Sequence, residues 1–417
     1  MTEKSDLNGS KPIGLRTDVL IVGGGVIGGA LGLALAREGL SSIICDPTPV
    51  ETATAPEFDG RAYAVALASR RMLRALGLWS QIEPDAQEIK DILVSDGRPG
   101  EKASGCFLHF DHREIGSEGF GHLVEDRHIR SAVLRAVEKE PLVTYLDGVR
   151  VEDWEQTSAW AHAQLSDGER VQARLLVGCD GRASKVAQKA GIDRTTIGYD
   201  QVGLVCAVRH EKPHHGVAHE YFLPAGPFAI LPLTGNRSSL VWTERADMAE
   251  TLREASDAVY LAEIRRRFGE FLGQVELDGK RWVYPLNLTV ARSFVGPRVA
   301  LAGDAARGIH PIAGQGMNYG LRDAAALAEV LGDAARLGED IGSVAVLERY
   351  ERWRRPDSTA IALATDGINR LFSNDVPVVR AARRFGLWAF GQVGPLRRTA
   401  MAFAAGARSD LPRIMLG

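Results

Sequence analysis

Three glycine-bearing turns in this chain have residue types and spacing that can hold a nucleotide. The first is Gly23-Gly-Gly25-Val-Ile-Gly28. Gly23 permits a tight turn, Gly25 lets main chain approach a pyrophosphate, and Gly28 lets helix and strand pack closely. A helix starting here aims free N–H groups and a partial positive charge at phosphates. Asp46, on the tip of the next strand, can accept hydrogen bonds from ribose hydroxyls. The second turn is Cys179-Asp180-Gly181, where an apolar run meets a loop. It reads either as a ligand-binding strand end or as a plain Asp-Gly turn. The third is Gly303-Asp304, leading through His310, Pro311, Gly314 and Gly316 to Met317-Asn318 and a long helix. That helix entry suits an anion, and a reduced flavin carries negative charge at its N1–C2=O edge.

Positioning such turns requires strands that end together. Asp18–Val22, the helical stretch to Arg37 and the strand Ser41–Cys45 form the βαβ context of a dinucleotide fingerprint. Residues 175–178 and 298–302 are two further buried-strand runs. The fold class expected is α/β, a Rossmann-like dinucleotide domain with a second β-sheet unit and C-terminal helices. The middle of the chain, about 196–285, reads as that sheet: Gln201–Arg209, Glu220–Leu233 and Arg237–Thr243, then a polar helix Ala246–Phe271. Phe222, Leu223, Phe228, Ile230 and Trp242 are candidates for lining a lipophilic substrate pocket, with core packing as the alternative. His210, His214, His215 and His219 are expected in a solvated loop, and no metal site is expected.

Composition narrows the class. The chain has 417 residues, a net charge of −3 and 25% charged residues, which argues against a nucleic-acid partner. Four cysteines without a C-x-x-C pair suit a reduced compartment, with the cytoplasm as default. Residues 1–17 read as a polar, disordered lead-in without a signal-peptide pattern. Val19–Ala36 is uncharged, but six of its residues are glycine, so it reads as strand and helix rather than as a membrane span. Residues 376–411 interleave Phe385, Leu387, Trp388, Phe390, Met401 and Phe403 with Arg380, Arg383, Arg384, Arg397, Arg398 and Arg408. Such a stretch is a candidate for docking on an anionic membrane surface or in a multi-enzyme assembly, with packing on the nucleotide-binding domain or on a partner subunit as the equal alternative.

Together the three turns resemble the class A FAD-dependent aromatic hydroxylases related to p-hydroxybenzoate hydroxylase. The segment His310-Pro-Ile-Ala-Gly-Gln-Gly-Met-Asn-Tyr-Gly-Leu-Arg-Asp323 is more specific and resembles the ubiquinone-biosynthesis hydroxylases. So do Asp59-Gly-Arg61, Leu231-Pro-Leu233, Tyr284-Pro-Leu286, Tyr350–Arg355, Leu371–Asn374 and the stretch Leu411–Gly417. Three positions depart from that family's pattern: Arg307 stands in place of histidine, Ala187 in place of arginine, and Asp46 in place of glutamate.

The resemblance implies an FAD-dependent monooxygenase that hydroxylates the ring of a prenylated phenol or benzoquinol. NADH or NADPH would reduce the flavin, and oxygen would enter through a C4a-hydroperoxyflavin, so the flavin carries the chemistry. Other readings are hydroxylation of a soluble aromatic, flavin-dependent prenyl reduction, and a catalytically silent FAD-bearing assembly subunit. The resemblance implies that Gly23, Gly25, Gly28 and Asp46 hold the ADP half, with Arg61 and Arg130 against the cofactor. Asp180-Gly181 would be shared with the nicotinamide, which has no second G-x-G-x-x-G of its own. Gly303 and Asp304 would meet the ribityl chain or pyrophosphate. His310, Pro311, Gly314, Gly316, Met317 and Asn318 would face the isoalloxazine. The implied division is a discontinuous FAD domain (18–78, 120–195 and 286–375), a substrate domain (79–119 and 196–285) and a helical region (376–417). The implied location is cytoplasmic, or peripheral on the inner face of the cytoplasmic membrane.

Overall fold

A computed structural model describes residues 14–57, 60–101, 107–114, 116, 119–309, 314–406 and 410–416. Strand β1 (Leu15–Val22) starts ahead of the expected Asp18 and so takes three residues from the expected lead-in. Leu15, Arg16 and Thr17 continue its ladder onto Val171, Gln172 and Ala173. Helix α1 (Val26–Arg37) leaves the first glycine turn and stops before Gly39, which takes the left-handed conformation that ends helices (φ 79°). Then follow β2 (Ser42–Asp46), β3 (Ala62–Ala66), α2 (Leu67–Ala75), β4 (Asp91–Asp96), β5 (Gly121–Glu125) and α3 (Asp126–Lys139). Next come β6 (Val143–Asp147), β7 (Arg170–Gly178) and the short α4 (Lys185–Lys189). The middle of the chain holds β8 (Arg194–His210), β9 (Val217–Leu223), β10 (Gly226–Leu233) and β11 (Arg237–Arg245). Helices α5 (Ala246–Glu254) and α6 (Asp257–Phe268), then β12 (Val275–Ala291) and β13 (Val299–Leu301), lead to four long helices. These are α7 (Gly316–Arg336), α8 (Val344–Phe372), α9 (Pro377–Gln392) and α10 (Gly394–Ala404).

Strands β13, β7, β1, β2 and β6 lie side by side, all parallel. Both faces are covered, so the strands read as unbroken apolar runs. Val19, Ile21, Leu31, Ile44, Leu176 and Leu327 belong to one continuous core there. Residues from far down the chain complete it: Met415 is fully buried in the same core, and Arg413 pairs with Glu329 and Asp333 on α7.

A second sheet runs β12-β8-β11-β10-β9-β4, antiparallel except for the β9–β4 pair. Helices α5 and α6 cover one of its faces, packing Tyr260, Ile264 and Phe268 on Leu204, Phe228 and Trp242. The single helix expected over Ala246–Phe271 is two helices. Ala255 is extended, and the Ser256 hydroxyl caps α6 by accepting the Val259 N–H.

The histidine segment is not simply solvated. His210 and His214 are buried, with ring nitrogens bonded to Lys212 O (2.7 Å) and Leu233 O (2.8 Å). Among the described residues no helix is long and apolar enough to cross a membrane, and no group of acids, histidines and cysteines is arranged to hold a metal ion.

Candidate functional site

The three turns meet because their strands are neighbours. Val22 of β1 pairs with Gly178 of β7, which pairs with Leu301 of β13. All three strands therefore end level at the carboxyl edge of the parallel sheet, the usual ligand edge of such folds.

At the first turn, a Cβ on Gly23 (φ 103°) would lie 2.5 Å from the Cys179 carbonyl oxygen. A Cβ on Gly28 would lie 1.9 Å from the Gly23 oxygen, so the helix sits on the turn with no room for a side chain. Around Gly25 the equivalent space is open, which leaves the α1 entry accessible. Both Asp46 oxygens accept main-chain N–H groups at 2.7 Å, from Gly24 and from Thr48. Asp46 thus fixes the turn and still has lone pairs for a ribose. Beside it, burial pushes the Tyr145 hydroxyl well above its usual range, and Asp46 and Asp147 add to the shift.

At the second turn, Asp180 accepts the Ser184 hydroxyl (2.6 Å) and the Val186 N–H (3.1 Å). Its carboxylate organises the start of α4 and leaves the Gly181 backbone (φ 78°) open. Ala187 is fully buried in α4.

At the third turn, Gly303 (φ 64°) donates its N–H to Asp323 (3.1 Å). Asp304 is partly exposed and meets Arg182 at 3.3 Å. Arg182 also reaches the Ile309 carbonyl (3.1 Å), and Arg194 donates to the Asp304 carbonyl (3.2 Å). The sequence reading missed these two arginines, although Arg182 directly follows Asp180-Gly181.

Arg307 lies in the core, ion-paired to Asp323 at 2.6 Å, with its guanidinium 5.1 Å from the Tyr319 ring centroid. Arg354 holds the other Asp323 oxygen at 2.9 Å. The arginine that departs from the family pattern is therefore an internal brace under α7.

The entry to α7 is only partly open. Gly314 (φ 61°) packs against Ala64, and Gly316 borders free space. Asn318, expected at the isoalloxazine, turns inward. Its Oδ1 accepts the Ala66 N–H (2.9 Å), and its Nδ2 donates to Ala64 O (2.8 Å) and Gly314 O (3.2 Å). Met317 also turns inward and joins the buried core. His310 and Pro311 lie outside the described residues, as do Asp59, Cys106 and Arg408.

Arg61 and Arg130 converge on buried Asp126, at 3.1 and 2.5 Å. Among the described residues Arg130 Nε and Arg194 Nε are buried without a hydrogen-bond partner. Unmet buried donors beside open glycine backbone suit a polyanionic cofactor, so the residues present fit FAD.

The substrate candidates divide by face. Leu223, Phe228 and Trp242 point to α5 and α6 and pack there, with Arg267 over the Trp242 ring at 4.1 Å. Phe222 points the other way and stacks on Phe372 of α8 at 4.0 Å. Strand periodicity of two makes this split unavoidable.

In the 376–411 stretch the charge is largely spent internally. Asp96, wholly buried, takes Arg380, Arg383 and Arg384, and Glu114 takes Arg397. Met401 is buried, whereas Phe385, Trp388 and Val378 are exposed.

Residues 16–365 match the FAD binding domain family. The chain is 47% identical to ubiquinone hydroxylase UbiL of Rhodospirillum rubrum, over 96% of this chain and 92% of that protein. It is 34% identical to 3-demethoxyubiquinol 3-hydroxylase of Escherichia coli, over 94% and 98% of the two chains. In fold it is similar to p-nitrophenol 4-monooxygenase PnpA of Pseudomonas putida, with a TM-score of 0.77 and 20% identity over 95% and 99% of the chains. A sheet edge built for FAD, with these relatives along nearly its whole length, makes the chain a member of the FAD-dependent monooxygenases, in the ubiquinone hydroxylase family.

Proposed function

We propose that this enzyme hydroxylates the aromatic ring of a prenylated phenol or benzoquinol in ubiquinone biosynthesis, with NADH or NADPH and molecular oxygen as co-substrates. The observation that carries the reading is the convergence of three strand-end turns on one cleft, beside a separate sheet that can take an aromatic. Bound FAD would supply the oxygen-activating chemistry. Gly23, Gly25, Gly28 and Asp46 would hold its ADP half, with Arg61 and Arg130 along the cleft wall. Gly181, Gly303 and Asp304 would meet the pyrophosphate and ribityl chain, and Gly314 with Gly316 the ring system. The nicotinamide would visit the Asp180-Gly181 edge transiently.

The test is pyridine-nucleotide oxidation by the holoenzyme with a prenylated phenol, in air and under argon. Consumption of one oxygen per hydroxylated ring is expected, with no turnover under argon. Turnover that persists under argon would exclude hydroxylation and favour reduction.

The face of α9 fits a peripheral position on the inner side of the cytoplasmic membrane. Phe385 and Trp388, with ring centroids 5.7 Å apart and solvent-facing, would enter the headgroup boundary, with Val378 beside them. Because most arginines here are already paired, insertion would depend on these apolar groups more than on lipid charge. Flotation with vesicles of neutral and of anionic lipid checks this: both should retain the protein, and Trp388→Ser should release it.

A further inference from the structure

A cluster of five charged side chains lies behind the entry to α7. Arg322 and Asp323 come from α7, and Arg354 and Asp357 from α8. Arg307 comes from a two-residue strand, Arg307–Gly308, paired with Thr289 and Val290 of β12. The three arginines are at most 5% exposed, and Asp323 is wholly buried. Asp323 accepts Arg307 at 2.6 Å on one oxygen and Arg354 at 2.9 Å on the other. Asp357 takes Arg354 at 2.9 Å and Arg322 at 2.8 Å. Three guanidinium groups against two carboxylates leave one positive charge in excess, away from water. The hydrogen bonds show the same excess. Arg307 Nε and Nη2, Arg322 Nε and Arg354 Nη2 are buried without a partner among the described residues. The Tyr319 ring, with the three guanidinium groups 5.0 to 5.9 Å from its centroid, offers them only its face. A buried charge is costly unless an opposite charge offsets it, so this cluster favours an anion nearby.

Direct bonds tie the cluster to the cofactor cleft. The Asp323 oxygen that holds Arg307 also accepts the Gly303 N–H at 3.1 Å, in the third glycine turn. Tyr319 is in the first turn of α7, and the Arg307 guanidinium stands 5.1 Å from its ring. The guanidinium therefore lies on the order of 10 Å from the helix entry at Gly316. We propose that this excess positive charge, to which Arg307 contributes, favours the reduced, anionic form of the bound flavin and so raises its reduction potential. The proposal rests on the hydroxylase reading and deepens it, by naming what draws the electrons of the pyridine nucleotide onto the ring system. In that transfer the C4–H bond of the dihydronicotinamide breaks with both its electrons, and an N–H bond forms on the flavin. The nicotinamide becomes a cation, and one negative charge arrives on the flavin. Arg307 touches no reacting atom; it is a positioning residue that acts through its charge.

The sign and size of the effect follow from the groups present. Guanidinium groups keep their charge throughout the ordinary pH range. Burial raises the Asp357 carboxyl, but Arg354 and Arg322 outweigh that and hold it below its ordinary value. Toward the cleft, Arg182 and Asp304 pair with each other at 3.3 Å and are each 40% exposed, so they add little field. At roughly 10 Å, through protein with an effective dielectric of about 20, one unit charge changes an equilibrium that creates a unit charge about tenfold. The main-chain N–H groups at the start of α7 act in the same direction. They are the same in every side-chain variant, so the variants isolate the cluster.

The experiment measures the two-electron reduction potential of the FAD-loaded enzyme against a reference dye, by dithionite titration without pyridine nucleotide. Arg307→Gln removes one positive charge and should make reduction about tenfold less favourable, a fall of about 30 mV. Arg322→Gln should do the same. Arg307→Lys keeps the charge and should stay within about threefold of wild type. Asp357→Asn enlarges the excess and should raise the potential by about 30 mV. A cluster that only braces α7 would not respond in opposite directions to the loss of opposite charges. If Arg307→Gln and Asp357→Asn shift the potential the same way, or neither changes reduction more than threefold, the proposal fails while the hydroxylase reading stands. It fails equally if Arg307→Lys falls as far as Arg307→Gln. The hydroxylase reading fails separately, whatever the potentials, if the loaded wild type oxidises neither NADH nor NADPH.

Discussion

Asn318 offers a quantitative check on how the cofactor cleft is held. Its amide makes three bonds to main chain: it accepts from Ala66 and donates to the carbonyls of Ala64 and Gly314. The residue is 3% exposed, so water cannot replace them. Asn318→Ala removes three hydrogen bonds worth ~1 kcal/mol each, and the Ala66 N–H is left buried without an acceptor. A loss of about 3 kcal/mol follows. An unfolding entropy of about 2.1 cal/mol/K per residue gives a chain of this length about 0.9 kcal/mol/K, hence a fall of ~3 °C in Tm. Asn318→Asp sharpens the test. It keeps the acceptor for Ala66 but sets a negative charge against two carbonyl oxygens. It should melt below the alanine variant at pH 8 and recover as acid protonates it. Scanning calorimetry at pH 5 and pH 8, with flavin content measured on the same samples, reads both effects. If both variants melt within 1 °C of wild type at pH 8, the three bonds do not hold β3 to α7 and the reasoning is refuted.

Three further outcomes are expected. Gly28→Ala places a Cβ 1.9 Å from the Gly23 oxygen, so α1 must move; purified protein should carry less than a tenth of the wild-type FAD, read by absorbance at 450 nm. Asp304→Ala should strip FAD from the protein with little change in fold by circular dichroism, because Asp304 is partly exposed and its ion pair to Arg182 is at the surface. Full yellow colour would remove Asp304 from the site. Glu125 is buried, which raises its carboxyl, but bonds from His128 and Arg237 outweigh that and hold it at about 2, below the ordinary 4.5. Its stabilisation is complete above about 4.5, is lost as pH falls toward 2, and amounts to about 3 kcal/mol. Arg237→Gln should therefore move the acid-unfolding midpoint to higher pH, and an unchanged midpoint would contradict the assignment.

The cleft was legible because its turns depend on what a side chain would block. Gly23, Gly28 and Gly303 can be located by type and spacing: a side chain at Gly23 or Gly28 would run into backbone, and Gly303 takes the left-handed conformation that favours glycine. That β1, β7 and β13 lie side by side was not legible, because similar apolar runs far apart in the chain carry no signal of which strands are neighbours. What stayed hidden depends on which face a strand turns to its neighbours. Phe222 and Phe228 look alike in sequence, yet one packs toward α8 and the other toward α6. Only the packed helices decide between the two faces. Arg307 read as a departure at the site because sequence shows the missing histidine but not the buried Asp323 that receives the arginine.

The burial of Met415 in the core around β1 sets an order of events during synthesis. At about 5–20 residues per second, roughly 20–80 s separate the emergence of Val22 from that of Met415. Through that interval the first βαβ unit, with its phosphate-binding turn, lacks part of its own packing. The nucleotide cleft therefore matures late, although its fingerprint is translated first. Until α7 and the segment around Met415 dock, the apolar residues of that first unit which they help to cover stay exposed.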